Sequence, residues 1–153
     1  MNILATQYTL ATKAFEIYIS GCSGNPHCRG CHNPASWDFN LGEPFNEEYF
    51  FNIKRKVEEF NILVKNIMIF GGEPLDNNHE ELASLLYKLK EFNKPIWLFT
   101  RYSIIEVPYE IKQLCDYIKC GRYDADKLVD DNIQYGIKLA SSNQEIYKKG
   151  LDY

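Results

Sequence analysis

The chain has 153 residues, 45% of them hydrophobic and 25% charged, with a formal net charge of -4. That length suits one domain with its own core and excludes two independent enzymes or a complete eight-fold β/α barrel, which takes roughly 250 residues. The acidic balance excludes a broad basic footprint for nucleic acid, and no stretch reaches the roughly 18 apolar residues of a membrane span. Asn2, Gln7 and Thr9 interrupt the N-terminus where a signal peptide needs a continuous apolar run. A cytoplasmic protein with neither nucleic acid nor membrane as partner is predicted.

In chain order, the first apolar run, Phe15 to Ile19, reads as a strand. It leads into a loop rich in Gly, Pro and Asn, Gly21 to Pro34, that carries Cys22, Cys28 and Cys31 as C-x5-C-x2-C. A helix is predicted from Glu47 to Phe60, where Phe50, Ile53, Val57 and Phe60 form an apolar stripe and Lys54, Arg55, Lys56, Glu58 and Glu59 a wet face. Ile67 to Phe70 and Ile96 to Phe99 are short, nearly continuous apolar runs that suit strands buried on both faces of a parallel sheet. Between them, Leu82, Leu85, Leu86, Leu89 and Phe92 repeat at helical spacing, with Asn78 as N-cap and Glu81 three residues on as a variant capping box. Tyr117 to Ile118 begins a further strand. After Gly121 the pattern weakens into a polar, mostly irregular tail, with one short strand at Tyr135 to Leu139. Alternation of strand and helix implies right-handed crossovers and helices outside a parallel sheet.

Two segments carry chemistry. Five cysteines, three of them within ten residues, make a poor disulfide framework and a good metal or cluster loop in a reducing compartment. Glycine, proline and asparagine permit the tight turns that let three thiolates converge. Three ligands are one short of a closed structural zinc or electron-transfer cluster. A zinc site recruiting His27 or His32 as fourth ligand is the alternative, while Cys115 and Cys120 read as buried structural thiols. The second segment is Gly71-Gly72-Glu73-Pro74 at the C-terminal end of the second run, where α/β sheets place ligands and where side chains would obstruct approach to the backbone. Glu73 there suits a cationic amine.

Tyr18 to Cys22, Cys28 to Asn33 with Trp37, Gly71 to Pro74, Phe99-Thr100, Gly121-Arg122-Tyr123 and Ser141-Ser142-Asn143-Gln144 together resemble the radical S-adenosylmethionine (SAM) enzymes. Within them, the likeness is to the small activating enzymes of anaerobic ribonucleoside-triphosphate reductases. Cys31-His32-Asn33 with Trp37 is also similar to the pyruvate formate-lyase activases. The resemblance implies an α/β fold, a partial, open β/α barrel with a mostly parallel sheet, as one radical SAM domain over residues 1-153. It implies a 4Fe-4S cluster on Cys22, Cys28 and Cys31, and SAM chelating the open iron. Gly71, Gly72 and Glu73 would hold the methionyl moiety, and Thr100 would make a polar contact near the sugar. The implied activity is reductive cleavage of SAM to a 5'-deoxyadenosyl radical, which generates a glycyl radical on a partner, the anaerobic ribonucleoside-triphosphate reductase. An external one-electron donor such as a flavodoxin or ferredoxin would supply the electron. Two departures stand out: the usual C-x3-C spacing is C-x5-C here, so Ser23 to His27 must loop outward, and Thr9 to Lys13 replaces the usual Gly-Pro-Gly. The other readings are a radical enzyme modifying another protein, peptide or metabolite, and a zinc- or iron-sulfur-stabilised binding or electron-transfer module. The latter leaves Gly71 to Pro74 without a role.

Overall fold

A computed structural model describes residues 1-153. β1 (Asn2–Thr9) and β2 (Ala14–Ile19) form an antiparallel hairpin with a bulge between Ile3 and Ala5. The cysteine loop follows, then the two-residue β3 (Glu43–Pro44) and α1 (Glu47–Glu59). β4 (Asn66–Gly71), α2 (His79–Leu89), β5 (Ile96–Phe99), α3 (Tyr109–Leu114) and β6 (Tyr117–Cys120) continue the alternation. A small hairpin, β7 (Ile133–Gln134) and β8 (Ile137–Lys138), precedes β9 (Glu145–Lys148). The order in the seven-stranded sheet is β3-β1-β2-β4-β5-β6-β9. β2, β4, β5 and β6 are parallel to one another, and antiparallel pairs flank them on both sides. The architecture is therefore α/β with a mixed sheet whose two edges stay open.

Both long helices start as their sequences require. The Asn46 side chain accepts from the Tyr49 amide at 2.8 Å, and Asn78 accepts from the amides of Glu80 and Glu81 at 2.9 and 3.1 Å. The second half of the expected capping box is absent, because the Glu81 carboxylate instead pairs with the N-terminal amino group. Phe50, Ile53 and Val57 of α1 and Leu82, Leu85, Leu86 and Leu89 of α2 are buried against Ile17, Ile19, Ile67, Ile69, Ile96, Leu98 and Ile118. Full burial of each such side chain is worth about 1.5 to 3 kcal/mol. No helix is long and apolar enough to cross a membrane.

The helices cover one face only. Strand residues of opposite parity, Ala14, Met68 and Trp97, meet Leu139 from the tail and Ile146 of β9 on the other face. The central strands are thus buried on both sides, as expected, but by different materials. Towards the C-terminal ends of the parallel strands this second face becomes aromatic and polar: Tyr18 stacks on Phe70 at 5.4 Å, Phe70 lies 4.2 Å from Phe99, and Lys119 pairs in register with Phe99. The tail departs from its expected irregularity. Tyr135 and Gly136, at φ 49° and 78°, make the tight turn of the β7-β8 hairpin, so the expected strand Tyr135 to Leu139 shrinks to Ile137–Lys138, and β9 completes the sheet.

Candidate active site

A cavity of about 260 Å³ opens at the C-terminal ends of the parallel strands. Cys22, Cys28 and Cys31 line it from the loop after β2, Gly71, Gly72 and Glu73 from the end of β4, Thr100 and Arg101 from the end of β5, and Lys119 from β6. All seven sequence-derived site residues therefore share one pocket. Cys115 and Cys120 do not: both are buried in the core on the helix side, and burial pushes each thiol up to about 12.

The cysteine loop is rooted by its backbone. Gly21 N–H donates to the Ser36 carbonyl at 2.8 Å and Cys22 N–H to the Trp37 carbonyl at 3.1 Å. A 3-10 turn over Pro34–Trp37 thus closes the loop onto the end of β2. The outward span of the longer loop is held by its own histidine: the His27 ring stacks on Trp37 at 3.9 Å and its Nε2 lies 3.0 Å from the Cys22 carbonyl. His32 lies against Tyr123 at 4.7 Å. All three thiols are free and half-buried. No three His, Cys, Asp or Glu side chains stand in a group tight enough for a single metal ion. Three soft thiolate donors opening onto one cavity fit a cluster, whose ligands are spread over several irons.

Gly71 and Gly72 serve the chain before they serve a ligand. A Cβ on Gly71, at φ 134°, would lie 1.9 Å from the Ile19 carbonyl oxygen; one on Gly72 would lie 2.2 Å from the Gly21 oxygen and 2.5 Å from that of Ser36. Gly72 N–H donates to Ile19 at 2.9 Å and Glu73 N–H to Gly21 at 2.7 Å. The glycines let the end of β4 lie directly on the root of the cysteine loop, so the physical reason differs from the one the sequence suggested.

Glu73 is 1% exposed. Its carboxylate accepts from Thr100 Oγ1 at 2.6 Å, Leu75 N–H at 3.1 Å and Arg101 N–H at 2.6 Å. Burial nonetheless pushes its carboxyl up, outweighing those bonds. The carboxylate is therefore part of the pocket wall rather than a free group, and Thr100, expected near a sugar, spends its hydroxyl on Glu73.

Four residues escaped the sequence reading. Asp76 accepts from Ser23 N–H at 2.7 Å, Tyr102 OH at 2.6 Å and Arg101 Nη2 at 3.0 Å. It thereby ties the residue after Cys22 to the end of β5. Desolvation raises the Asp76 carboxyl, but the bonds from Tyr102, Ser23 and Arg101 hold it below the usual range. Arg101 Nε is buried and has no hydrogen-bond partner, an unmet donor on a residue that lines the cavity. The sole sequence signal of Lys119 is a lone cation between Ile118 and Cys120. The tail signature has a structural part: Gln144 accepts from the amides of Ala140 and Ser141 at 3.0 and 3.2 Å, and Asn143 Nδ2 donates to the Arg122 carbonyl at 2.9 Å. These bonds fold the tail against the pocket rim.

Three thiols and the glycine-rich end of β4 lining one cavity at the parallel strand ends of an α/β sheet fit an iron-sulfur protein of single-cluster type. Residues 13–147 match the family model of the 4Fe-4S single cluster domain. An anaerobic ribonucleoside-triphosphate reductase-activating protein from Pasteurella multocida is 30% identical over 142 residues, covering 86% of this chain and 85% of the relative. Proteins of the same name from Salmonella typhimurium and Escherichia coli are 30% and 28% identical over 137 residues, with the same coverage. The chain belongs to the 4Fe-4S single cluster domain family and, within it, to the anaerobic ribonucleoside-triphosphate reductase-activating proteins.

Proposed function

We propose that this chain is a radical SAM activase that installs a glycyl radical on an anaerobic ribonucleoside-triphosphate reductase. The observation that carries the reading is the single pocket shared by Cys22, Cys28, Cys31 and the Gly71-Gly72-Glu73 shelf. When bound there, a 4Fe-4S cluster and SAM supply one-electron cleavage of the sulfonium and, from it, hydrogen abstraction. The chain's own residues bind and orient. Cys22, Cys28 and Cys31 hold the cluster, and burial pushes the Cys22 thiol up, so its thiolate form depends on metal binding. Glu73, a carboxylate kept out of water at a cost, offers its remaining lone pair to the amine of the methionyl group, and Arg101 Nε offers its unmet donor to an acceptor of the same ligand. Thr100 and the amides of Leu75 and Arg101 fix the Glu73 carboxylate.

The open sheet is read as a partial β/α barrel making up one radical SAM domain. Such a barrel leaves one side of the pocket for a protein loop to enter and exclude water. A flavodoxin or ferredoxin is the proposed electron donor. The test is an anaerobic titration of the reduced cluster with SAM: its EPR signal should change on addition, and the isolated protein under strong reductant should cleave SAM slowly and uncoupled. One zinc and no iron after anaerobic purification would refute the reading.

A further inference from the structure

Lys119 projects from β6 onto the aromatic face of the sheet, level with Phe99 of β5 and Ile146 of β9, and lines the cavity that the three cysteines line. Its ammonium donates to the Gly121 carbonyl at 2.6 Å and makes no ion pair with any carboxylate. Of the other two cations of the pocket, Arg101 pairs with Asp76, and Arg122 is exposed and donates to the Pro26 carbonyl. Lys119 is half-buried, so part of the cost of desolvating its charge is met by no ion pair. Burial pushes its pKa down to about 8, against the charges of Glu73, Cys120 and Cys28. Cys28, one of the three proposed cluster ligands, lines the same cavity as Lys119.

We propose that Lys119 is the counter-charge of the iron-sulfur centre, a positive charge held beside the thiolate ligands that stabilises the cluster once it has gained its electron. Reduction adds one negative charge to the centre. A cation in the same cavity favours that reduced form more than the oxidised one. Reduction potentials of such clusters respond to net charge and solvent exposure, so an ammonium in the same cavity is a lever. The inference rests on the cluster assignment alone. Neither SAM nor the reductase enters its test, so the activase reading can fail without touching it.

The experiment is a potentiometric EPR titration of the reconstituted chain. Lys119→Met should make reduction about tenfold less favourable, a fall of about 59 mV for a one-electron couple, with iron content unchanged. Lys119→Arg, which keeps the charge, should stay within about threefold of the parent. Full iron loading with an unchanged potential in Lys119→Met would overturn the proposal. Where Lys119→Met fails to hold its cluster, Lys119→Gln, which removes the charge but keeps a polar side chain, decides by the same titration: its potential should fall by about 59 mV with iron content unchanged. A potential in Lys119→Gln equal to the parent's at full iron loading would overturn the proposal.

Discussion

Gly72→Ala tests whether the glycine shelf is built for the chain's own backbone. The new Cβ would sit 2.2 Å from the Gly21 oxygen, whereas ordinary contact starts at 3.4 Å, so the root of the cysteine loop must retreat by the difference, about 1.2 Å. Such a movement breaks or stretches Glu73 N–H to Gly21 at 2.7 Å, Gly72 N–H to Ile19 at 2.9 Å and Gly21 N–H to Ser36 at 2.8 Å. At about 0.5 to 1.5 kcal/mol net for each of the three bonds, the loss is about 1.5 to 4.5 kcal/mol. For a domain of this size that is a fall in Tm of about 5 to 15 °C. Cys22 follows Gly21 directly, so the cluster should be lost or poorly loaded as well. The assay is thermal unfolding of the apoprotein together with iron content after reconstitution. If the glycines served only the approach of a ligand, the variant would melt like the parent and load its iron fully while losing affinity for SAM, and that result would refute the reasoning.

Cys22→Ala, Cys28→Ala and Cys31→Ala should each abolish a stable 4Fe-4S cluster, whereas Cys115→Ala and Cys120→Ala should keep their iron and lose about 1 kcal/mol of stability from core packing, measured by iron analysis and denaturant titration. His27→Ala and His32→Ala should also keep their iron, because each ring is engaged with an aromatic neighbour; loss of iron in either would point to a mixed-ligand site. Glu73→Gln should weaken SAM binding by roughly ten- to a hundredfold, since charge-assisted contacts are worth about 1.5 to 3 kcal/mol, and a binding isotherm like the parent's would remove Glu73 from the ligand's contacts. The Asp76 carboxyl lies below its ordinary range in the folded protein, so its contribution is present above the unfolded pKa and is lost as pH falls through the folded one. Asp76→Asn should accordingly be less stable than the parent near pH 7 and lose less Tm on acidification to about pH 3; parallel Tm profiles would contradict the network around Ser23 and Arg101.

The helices and central strands were legible because their signals are local and repeated. Leu82, Leu85, Leu86 and Leu89 mark one face of α2, and Asn46 and Asn78 mark the starts of α1 and α2. The edges of the sheet were not. β1 mixes Asn2, Thr6, Gln7 and Thr9 among its apolar residues because much of it is only half-buried, and β9 buries Ile146 alone. Such short edge strands are defined by their partners rather than by their own pattern. The three cysteines, Gly71, Gly72, Glu73 and Thr100 were visible as motif residues, and all line the cavity. What the motifs hid was who contacts whom. Thr100 and Glu73 lie 27 positions apart and Asp76 and Ser23 lie 53 apart, and only the parallel register of β2, β4 and β5 brings them together. Lys119 was hidden for a related reason, since a single cation in an apolar run reveals neither the face it occupies nor its lack of a counter-ion.

The central claim is tested most directly by EPR of an anaerobic mixture of the reconstituted, reduced protein, SAM and its cognate anaerobic ribonucleoside-triphosphate reductase. The account predicts a glycyl radical signal on the reductase that requires all three components and disappears with Cys28→Ala. Absence of that signal while the cluster is intact and SAM is being cleaved, or coupled turnover of a free small molecule by the chain alone, would contradict it.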